Sequence, residues 1–504
     1  MKPLNLEGHL GDFFAVIAGA SLPLAFAPYS LFPIAVLSPA LLFLVWQNVS
    51  IKRAFWRGWI FGLSFFSVGI SWVYISFYQF GGVSLIGAIF LTTLFVLVLA
   101  SYPALLGAAL TRFFPNNSSS RLLIIFPAAW TLMESLRGWL FTGFPWLSLG
   151  YSQIDSPLNG FAPILGVYGV SWIIALSASL LVLAYQSHLN IKKQIIALTA
   201  IVIIWTSGWF LSNISWTQAI DNPLKVALVQ GNIPQEFKWA EGNLIPSMQR
   251  YLKLSQENRD ADIIIWPETA IPMFYQELQQ YFPEFSKALV GEHLNYKTDF
   301  LIGIPVQKAD GSYFNSVASI GKEPGIYYKQ HLVPFGEYIP LQIIFGKLFK
   351  FLNVPMSEFS AGNGEQTTLK SAGQVIGISI CYEDAFGELV RKGLPAARLL
   401  VNVSNDAWFG ESIAPYQHLE MARMRALETG RYLLRATNTG ISAVINAKGE
   451  ITEQAPQFKI TTLRAIVQPY EGITPYVRFG NAFLLSFLFL LVIGYYLFMK
   501  KFEL

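Results

Sequence analysis

Seven apolar runs follow one another over the first 213 residues, near 10–28, 31–48, 57–78, 84–110, 122–142, 161–185 and 195–212, and an eighth lies near 481–499. A hydrocarbon core about 30 Å thick is crossed by about 20 apolar residues in helical form. The runs therefore predict a multi-span α-helical membrane domain of about eight transmembrane helices. Composition agrees, with 53% hydrophobic and 13% charged residues against roughly 25% charged in ordinary soluble domains. A net charge of +4 gives no reason to expect a nucleic-acid partner. The single cysteine excludes an intramolecular disulfide and a cysteine-based metal cluster. The five histidines show no metal-ligand spacing such as HExxH, so neither a metal nor a cofactor is expected.

Between the seventh and eighth runs the character changes. Residues 224–470 contain short β-rich runs, charged helical stretches and regular turns, which predicts three segments: seven helices over 1–213, a soluble domain over 224–470 and a C-terminal span over 481–499. Strands are expected at 224–230, 262–268, 300–306, 314–320, 375–381, 399–405 and 441–447. Several are continuously apolar, as in strands covered on both faces. "SMQRYLKLSQENRD" and "YQHLEMARMRALETGRYLLRA" read as helices between them, giving an α/β domain.

Cytoplasmic loops retain Lys and Arg. With the N-terminus inside, the inner connections hold Lys52, Arg53 and Arg57, then Arg112 and Arg121, then Lys192 and Lys193, and the tail holds Lys500 and Lys501. The outer connections around 79–83 and 146–160 hold none. This bias predicts cytoplasmic termini and a soluble domain outside the membrane. "AFAPY" could imitate a signal-peptidase site, but Glu7 and Asp12 spoil a basic leader, and the first helix is expected to stay attached.

Cys381 follows a hydrophobic strand and precedes "DAFGELVRKG", a plausible helix with Asp384 as a cap or first-turn acid. Such a turn would favour a thiolate, whereas Glu383 and Asp384 would oppose it; a free cysteine is also often a buried small hydrophobe. Glu268 ends the strand "DIIIWPE", where it could face a site or simply occupy a turn. Lys329, in "YYKQHLVPFGEYIP", could steady an oxyanion or be a surface lysine. His331 in the same stretch offers a rival Cys/His pair. "LQIIFGKLFKFL" (341–352) could lie in the lipid interface as a lid or pack on the domain. Glu134 and Arg137, inside an expected span, should pair or line a cavity.

Taken together, "WPETA", "YYKQHLVPFGEYIP" and "CYED" resemble the Glu, Lys, Cys triad of the nitrilase (carbon-nitrogen hydrolase) superfamily. "VQGNIPQEFKW", "NVSNDAWFG" and "RATNTGISAVIN" are similar to the apolipoprotein N-acyltransferase family within it, and the likeness runs over the whole chain. The resemblance implies an αββα sandwich for the soluble domain and a bacterial cytoplasmic (inner) membrane location with that domain on the periplasmic face. It implies Cys381 as nucleophile, Glu268 as general base and Lys329 as oxyanion stabiliser, with Glu337, Trp239, Tyr382 and Glu383 as supporting or substrate-binding residues. The implied reaction moves an acyl chain from a phospholipid, by analogy phosphatidylethanolamine, through a thioester on Cys381 to the α-amino group of a diacylglyceryl-cysteine on an apolipoprotein. A membrane-tethered amidase or hydrolase would use the same triad. A scaffold or transporter that has lost activity is the alternative from another class; the repeated halves that would favour transport are not evident.

Overall fold

The computed structural model describes residues 6, 8–240, 242–338, 358–364 and 366–502. Residues 341–352, expected as an interfacial or packed helix, lie outside the described residues. The chain divides into two units. One comprises the chain up to Tyr74, Ile89–Ser215 and the chain from Arg478; the other comprises Ile75–Ala88 and Trp216–Val477.

In the first unit the apolar runs are helical, but the expected count of eight spans is not reached. Among the described residues four helices are long and apolar enough to cross a membrane: Leu85–Phe113, Pro157–Gln186, Ile191–Ser212 and Pro475–Lys501. A fifth arises if Ile51–Gly69 and Val73–Phe80, bent by 60°, count as one span. Proline sets the limit on the early runs. The first α-helix, His9–Ser21, passes at Pro23 into a 3₁₀ turn, and Pro33 directly precedes Ile34–Val45. A 12-residue helix is about 18 Å long, short of the hydrocarbon thickness.

The basic residues read as loop charges sit at helix ends. Lys52, Arg53 and Arg57 lie in the first two turns of Ile51–Gly69, and Arg57 is buried. Asp12 receives Arg53 Nη1 at 2.6 Å and Arg57 Nε at 3.0 Å, so the acid that spoils a leader is a structural counter-ion. Glu134 and Arg137 each bond to the connection after their helix. Glu134 Oε1 accepts from Trp130 Nε1 (2.9 Å) and Leu149 N (3.0 Å), while Arg137 donates to the carbonyls of Phe144 and Trp146. Both line one small cavity with Phe61, Phe65 and Phe66, and their bonds fix the connection after their helix.

In the second unit the apolar runs form two six-stranded sheets. The strands of these two sheets are β1 (Leu224–Gln230), β2 (Ile263–Trp266), β3 (Asp299–Gly303), β4 (Ser316–Ile320), β5 (Gly325–Tyr328), β6 (Thr368–Ser371), β7 (Gln374–Ile380), β8 (Leu399–Ser404), β9 (Leu433–Thr437), β10 (Ala443–Ile445), β11 (Ile451–Gln454) and β12 (Thr461–Val467). The first sheet runs β12-β1-β2-β3-β4-β5 and the second β11-β10-β9-β8-β7-β6. β1, β2 and β3 are parallel, as are β7, β8 and β9; every other pairing within the two sheets is antiparallel. The sheets face one another, with Ser442 Oγ donating to Gln230 Oε1 (2.7 Å) and Asn438 Nδ2 to Ile233 O (2.7 Å). Helices Leu244–Gln256 and Pro283–Tyr296 flank the first sheet and Ala414–Thr429 the second. The unit is an αββα sandwich.

One expected helix is shorter than its pattern suggests. The run from Tyr416 ends at Gly430, whose φ of 62° is left-handed, and "LLRAT" becomes β9. A side chain at Gly430 would also meet Thr217. Gly430→Val is therefore expected to destabilise this unit by at least about 1–2 kcal/mol, read as a lowered melting temperature in detergent; an unchanged melting temperature would count against this account of the helix stop.

Candidate active site

The C-terminal ends of the parallel strands converge, as is usual for sites in open α/β sheets. β2 is clamped where Trp266, fully buried, stacks on Tyr251 and donates to Ser255 Oγ at 2.9 Å. Two residues later Glu268 points into the site. Its Oε1 accepts from Asn315 Nδ2 (2.7 Å) and faces Lys329 Nζ at 3.5 Å; its Oε2 accepts from Asn405 N at 2.9 Å. Lys329, directly after β5, is 1% exposed and donates to Glu337 Oε1 at 2.8 Å. Its backbone is held too, N to Asn315 O and O from Gly362 N. Glu337 is fixed in turn by Val333 N (2.8 Å) and Asn315 Nδ2 (3.0 Å). Burial opposes the Lys329 charge, but Glu337, Glu268 and Cys381 outweigh it and raise its pKa, so the ammonium persists into alkaline solution.

Cys381 directly follows β7 at φ 52°, a conformation few non-glycine residues adopt. Its carbonyl accepts from Asn402 Nδ2 at 3.1 Å and lies 3.3 Å from His418 Nε2. The chain continues as a 3₁₀ turn, Cys381–Ala385, and a five-residue helix, a weak source of helix-dipole field. Of the two opposing influences expected on the thiol, the one favouring the thiolate is outweighed, by burial and Glu268 rather than by Glu383 or Asp384. Burial and then Glu268 push the thiol pKa up, against Lys329 and a hydrogen bond from Ser404. The resting sulfur is a thiol, and its ionisation must be coupled to a base.

The two acids beside it are engaged elsewhere. Glu383 turns back to accept from Ile380 N (2.8 Å), and also from Gln330 N (2.6 Å), His331 N (3.0 Å) and Tyr327 Oη (2.9 Å). It thus ties the Cys381 turn to the Lys329 segment. Its pKa is pushed up to about 7 by burial, with Lys329 and the backbone N–H groups acting the other way. Asp384 joins a fully buried cluster. His418 Nε2 lies 2.9 Å from Asp384 Oδ1, His418 Nδ1 3.2 Å from Asp406 Oδ1, and Arg435 reaches Asp384 Oδ2 (3.2 Å), Asp406 Oδ2 (2.9 Å) and Asn402 Oδ1 (2.7 Å). Burial disfavours the Asp406 carboxylate, yet Arg435 and His418 hold it well below the usual range.

The structure thus brings Glu268, Lys329, Cys381, Glu337 and Glu383 together. Tyr382 is buried with its ring 5.0 Å from Phe386, and Trp239 is half-buried at the end of the Gln235–Lys238 turn. His331, the rival base, has its imidazole 3.7 Å from the Phe386 ring. Sequence reasoning missed Asn315, Asn402, Ser404, Asn405, His418, Arg435 and Lys238. Asn402 and Ser404 carried a signal, being polar at period two on an otherwise apolar strand; so did Arg435 within "LLRAT". Among the described residues no group of His, Cys, Asp and Glu is arranged to hold a metal ion.

Asn315 bridges the two carboxylates that share Lys329. Hydrogen bonds to charged groups are worth about 1.5–3 kcal/mol, so Asn315→Ala is expected to lower turnover by about 10- to 100-fold while the protein remains folded. Turnover equal to that of the parent would remove Asn315 from the site.

Residues 18–180 match the model described as apolipoprotein N-acyltransferase N-terminal domain, and residues 225–472 match carbon-nitrogen hydrolase. An apolipoprotein N-acyltransferase of Methylococcus capsulatus is 44% identical over 93% of this chain and 92% of its own. One from Nitrosomonas europaea is 42% identical over 96% and 97%, and one from Vibrio cholerae 43% identical over 93% of each. A solved carbon-nitrogen hydrolase from Helicobacter pylori superposes with a TM-score of 0.38 at 17% identity, covering 52% of this chain and 94% of that one. Matched along nearly its whole length by such relatives, the chain belongs to the apolipoprotein N-acyltransferase family.

Proposed function

We propose that this chain is an N-acyltransferase of bacterial lipoproteins, drawing its acyl chain from a membrane phospholipid and passing it through a thioester on Cys381. The observation that carries the reading is the pairing of a buried ammonium, Lys329, with a base, Glu268, as the charged neighbours of a buried thiol at a left-handed turn. Because the thiol is protonated at rest, Glu268 takes its proton as sulfur attacks the ester carbonyl. Lys329 and the backbone N–H of Tyr382 meet the tetrahedral oxyanion. Collapse expels the glyceryl oxygen, which regains the proton from Glu268, and a lysophospholipid leaves. The α-amino group of a diacylglyceryl-cysteine then attacks the thioester, Glu268 accepts the amine proton, and the sulfur departs to be reprotonated. One acyl-cysteine serving two substrates in turn gives ping-pong kinetics.

Phosphatidylethanolamine is the proposed donor and an S-diacylglyceryl apolipoprotein the acceptor. The helices within 1–213 and 481–499 anchor the catalytic domain, 224–470, to the cytoplasmic membrane, with that domain on the outer face and both termini inside. Anchorage suits the substrates, since drawing acyl chains from lipid costs about 0.8 kcal/mol per CH₂. Trp239 and Tyr382 are assigned to substrate contact, Glu337 to holding Lys329, and Glu383 to tying the Lys329 segment to the Cys381 turn. Purified protein incubated with labelled phosphatidylethanolamine and a diacylglyceryl peptide is expected to yield N-acylated peptide and lysophospholipid in equal amounts. Release of free fatty acid without peptide acylation would instead assign a hydrolase.

A further inference from the structure

Lys238 is a second buried lysine at this site and takes no part in the acyl-transfer steps assigned to Glu268, Lys329 and Cys381. Its turn, Gln235–Lys238, comes after β1 and is held over the strand ends on both sides. Gln235 Oε1 accepts from Asn405 Nδ2 at 2.7 Å, and Asn405 in turn donates its N–H to Glu268. Lys238 is 4% exposed, and its Nζ donates to the backbone oxygen of Glu268 at 3.1 Å. Among the described residues no carboxylate lies within ion-pair distance of it, in contrast to Lys329. A buried ammonium without a carboxylate in direct contact is costly, and a lysine kept in that state on the backbone of Glu268 calls for a reason.

We propose that Lys238 is a positioning residue of the acyl transfer: anchored on the Glu268 carbonyl, its ammonium holds the Glu268 turn in place and offsets the negative charge that develops on Cys381. The inference rests on Cys381 being the acyl-accepting thiol. The charged groups acting on Lys238 are Glu268 and Cys381; Lys329, Asp406 and Arg435 act in turn on Cys381, and Glu337 on Lys329. Glu236 on its own turn is exposed. Burial brings the Lys238 pKa down to about 8, with Glu268 and Cys381 acting to keep the proton on. Lys329 holds its charge at alkaline pH, so Lys238 is the ammonium of the pair that alkali removes.

Because the chain has a single cysteine, the rate of iodoacetamide alkylation against pH reads Cys381 alone. Lys238→Met is expected to raise the apparent pKa of the thiol by about one unit and to lower alkylation at pH 8 about tenfold. In the parent, loss of the Lys238 proton through pH 8 flattens the rise of the profile; Lys238→Arg, whose charge persists, is expected to restore a single steep titration. A purely structural role would lower the melting temperature of Lys238→Met and leave its profile superposed on the parent's between pH 6 and 10, which would overturn the proposal. Should the Met variant fail to fold, an Arg variant with the parent's profile shape overturns it equally. Acyl transfer persisting in Cys381→Ala would remove the thioester scheme instead, and the two failures are told apart because that variant plays no part in the alkylation comparison.

Discussion

Cys381→Ala is expected to abolish both half-reactions. No lipid should be found on the protein by mass spectrometry after incubation with phospholipid, and acylated peptide should fall at least about 10⁴-fold, the scale on which nucleophile removal acts in acyl-transfer enzymes. Glu268→Gln should leave the thiol in place yet form no thioester, because a sulfur that is protonated at rest has lost its acceptor. Lys329→Met should retain slow acylation, lowered about 100- to 1,000-fold as for loss of one oxyanion donor. The order of these effects is as informative as their size. Acyl-protein in the Cys381→Ala variant would end the thioester scheme, and a larger loss with a His331 variant than with Lys329→Met would put a Cys/His pair in its place.

Arg435→Met is expected to destabilise the catalytic unit by about 3–5 kcal/mol, the cost of leaving buried charge uncompensated. Arg435 is fully buried and joins Asp384, Asp406 and Asn402 behind the Cys381 turn. Without it two buried carboxylates face one histidine. Adding Asp406→Asn should recover part of the loss, since one anion then goes with the cation; no recovery would mean that Arg435 acts through packing alone. The acid limb has a definite sign. A carboxylate held below its unfolded pKa adds stability that is complete above about pH 4 and disappears as pH falls through the folded value. The Arg435–Asp406 contribution is therefore constant over the neutral range and is lost only in strong acid.

Two of the three reactive groups, Glu268 and Cys381, were legible because they stand at the ends of apolar strands, and such strands announce themselves by composition, whereas Lys329 follows β5, which was not among the expected strands. Glu268 and Cys381 close the runs "DIIIWPE" and "VIGISIC", and both runs are strands within a residue or two of their expected limits. The illegible part depends on long-range pairing. β9 was absorbed into a helix because "RYLLRA" continues the helical pattern; only the left-handed Gly430 divides them. β12 carries Arg464 and β11 Glu453, so these outer strands lack the continuous apolar signature of central ones. The His418 and Arg435 cluster was hidden since its members come from a helix, two turns and two strands spread between Asp384 and Arg435. The expected span number was not reached among the described residues, and for the first two runs the reason is local: hydropathy counts apolar residues but does not register that Pro23 and Pro33 limit the helices they flank.

The order of strand directions has a consequence for how Cys381 should be regarded. From β12 to β5, successive pairings are antiparallel, parallel, parallel, antiparallel, antiparallel; from β6 to β11, they are the same. The catalytic unit is one strand plan written twice. β1 corresponds to β7, and just past β1 stands Asn232 with φ 48°, the counterpart of Cys381 with φ 52°. β2 corresponds to β8, and the residues past them, Glu268 and Asn405, are hydrogen-bonded to one another. A left-handed bend is thus present past β1 as well, where no thiol is. Chemistry arises from how differently the two copies are furnished: one bend carries an amide and the other a sulfur, and one strand end supplies the carboxylate that the other, through a peptide N–H, holds in position.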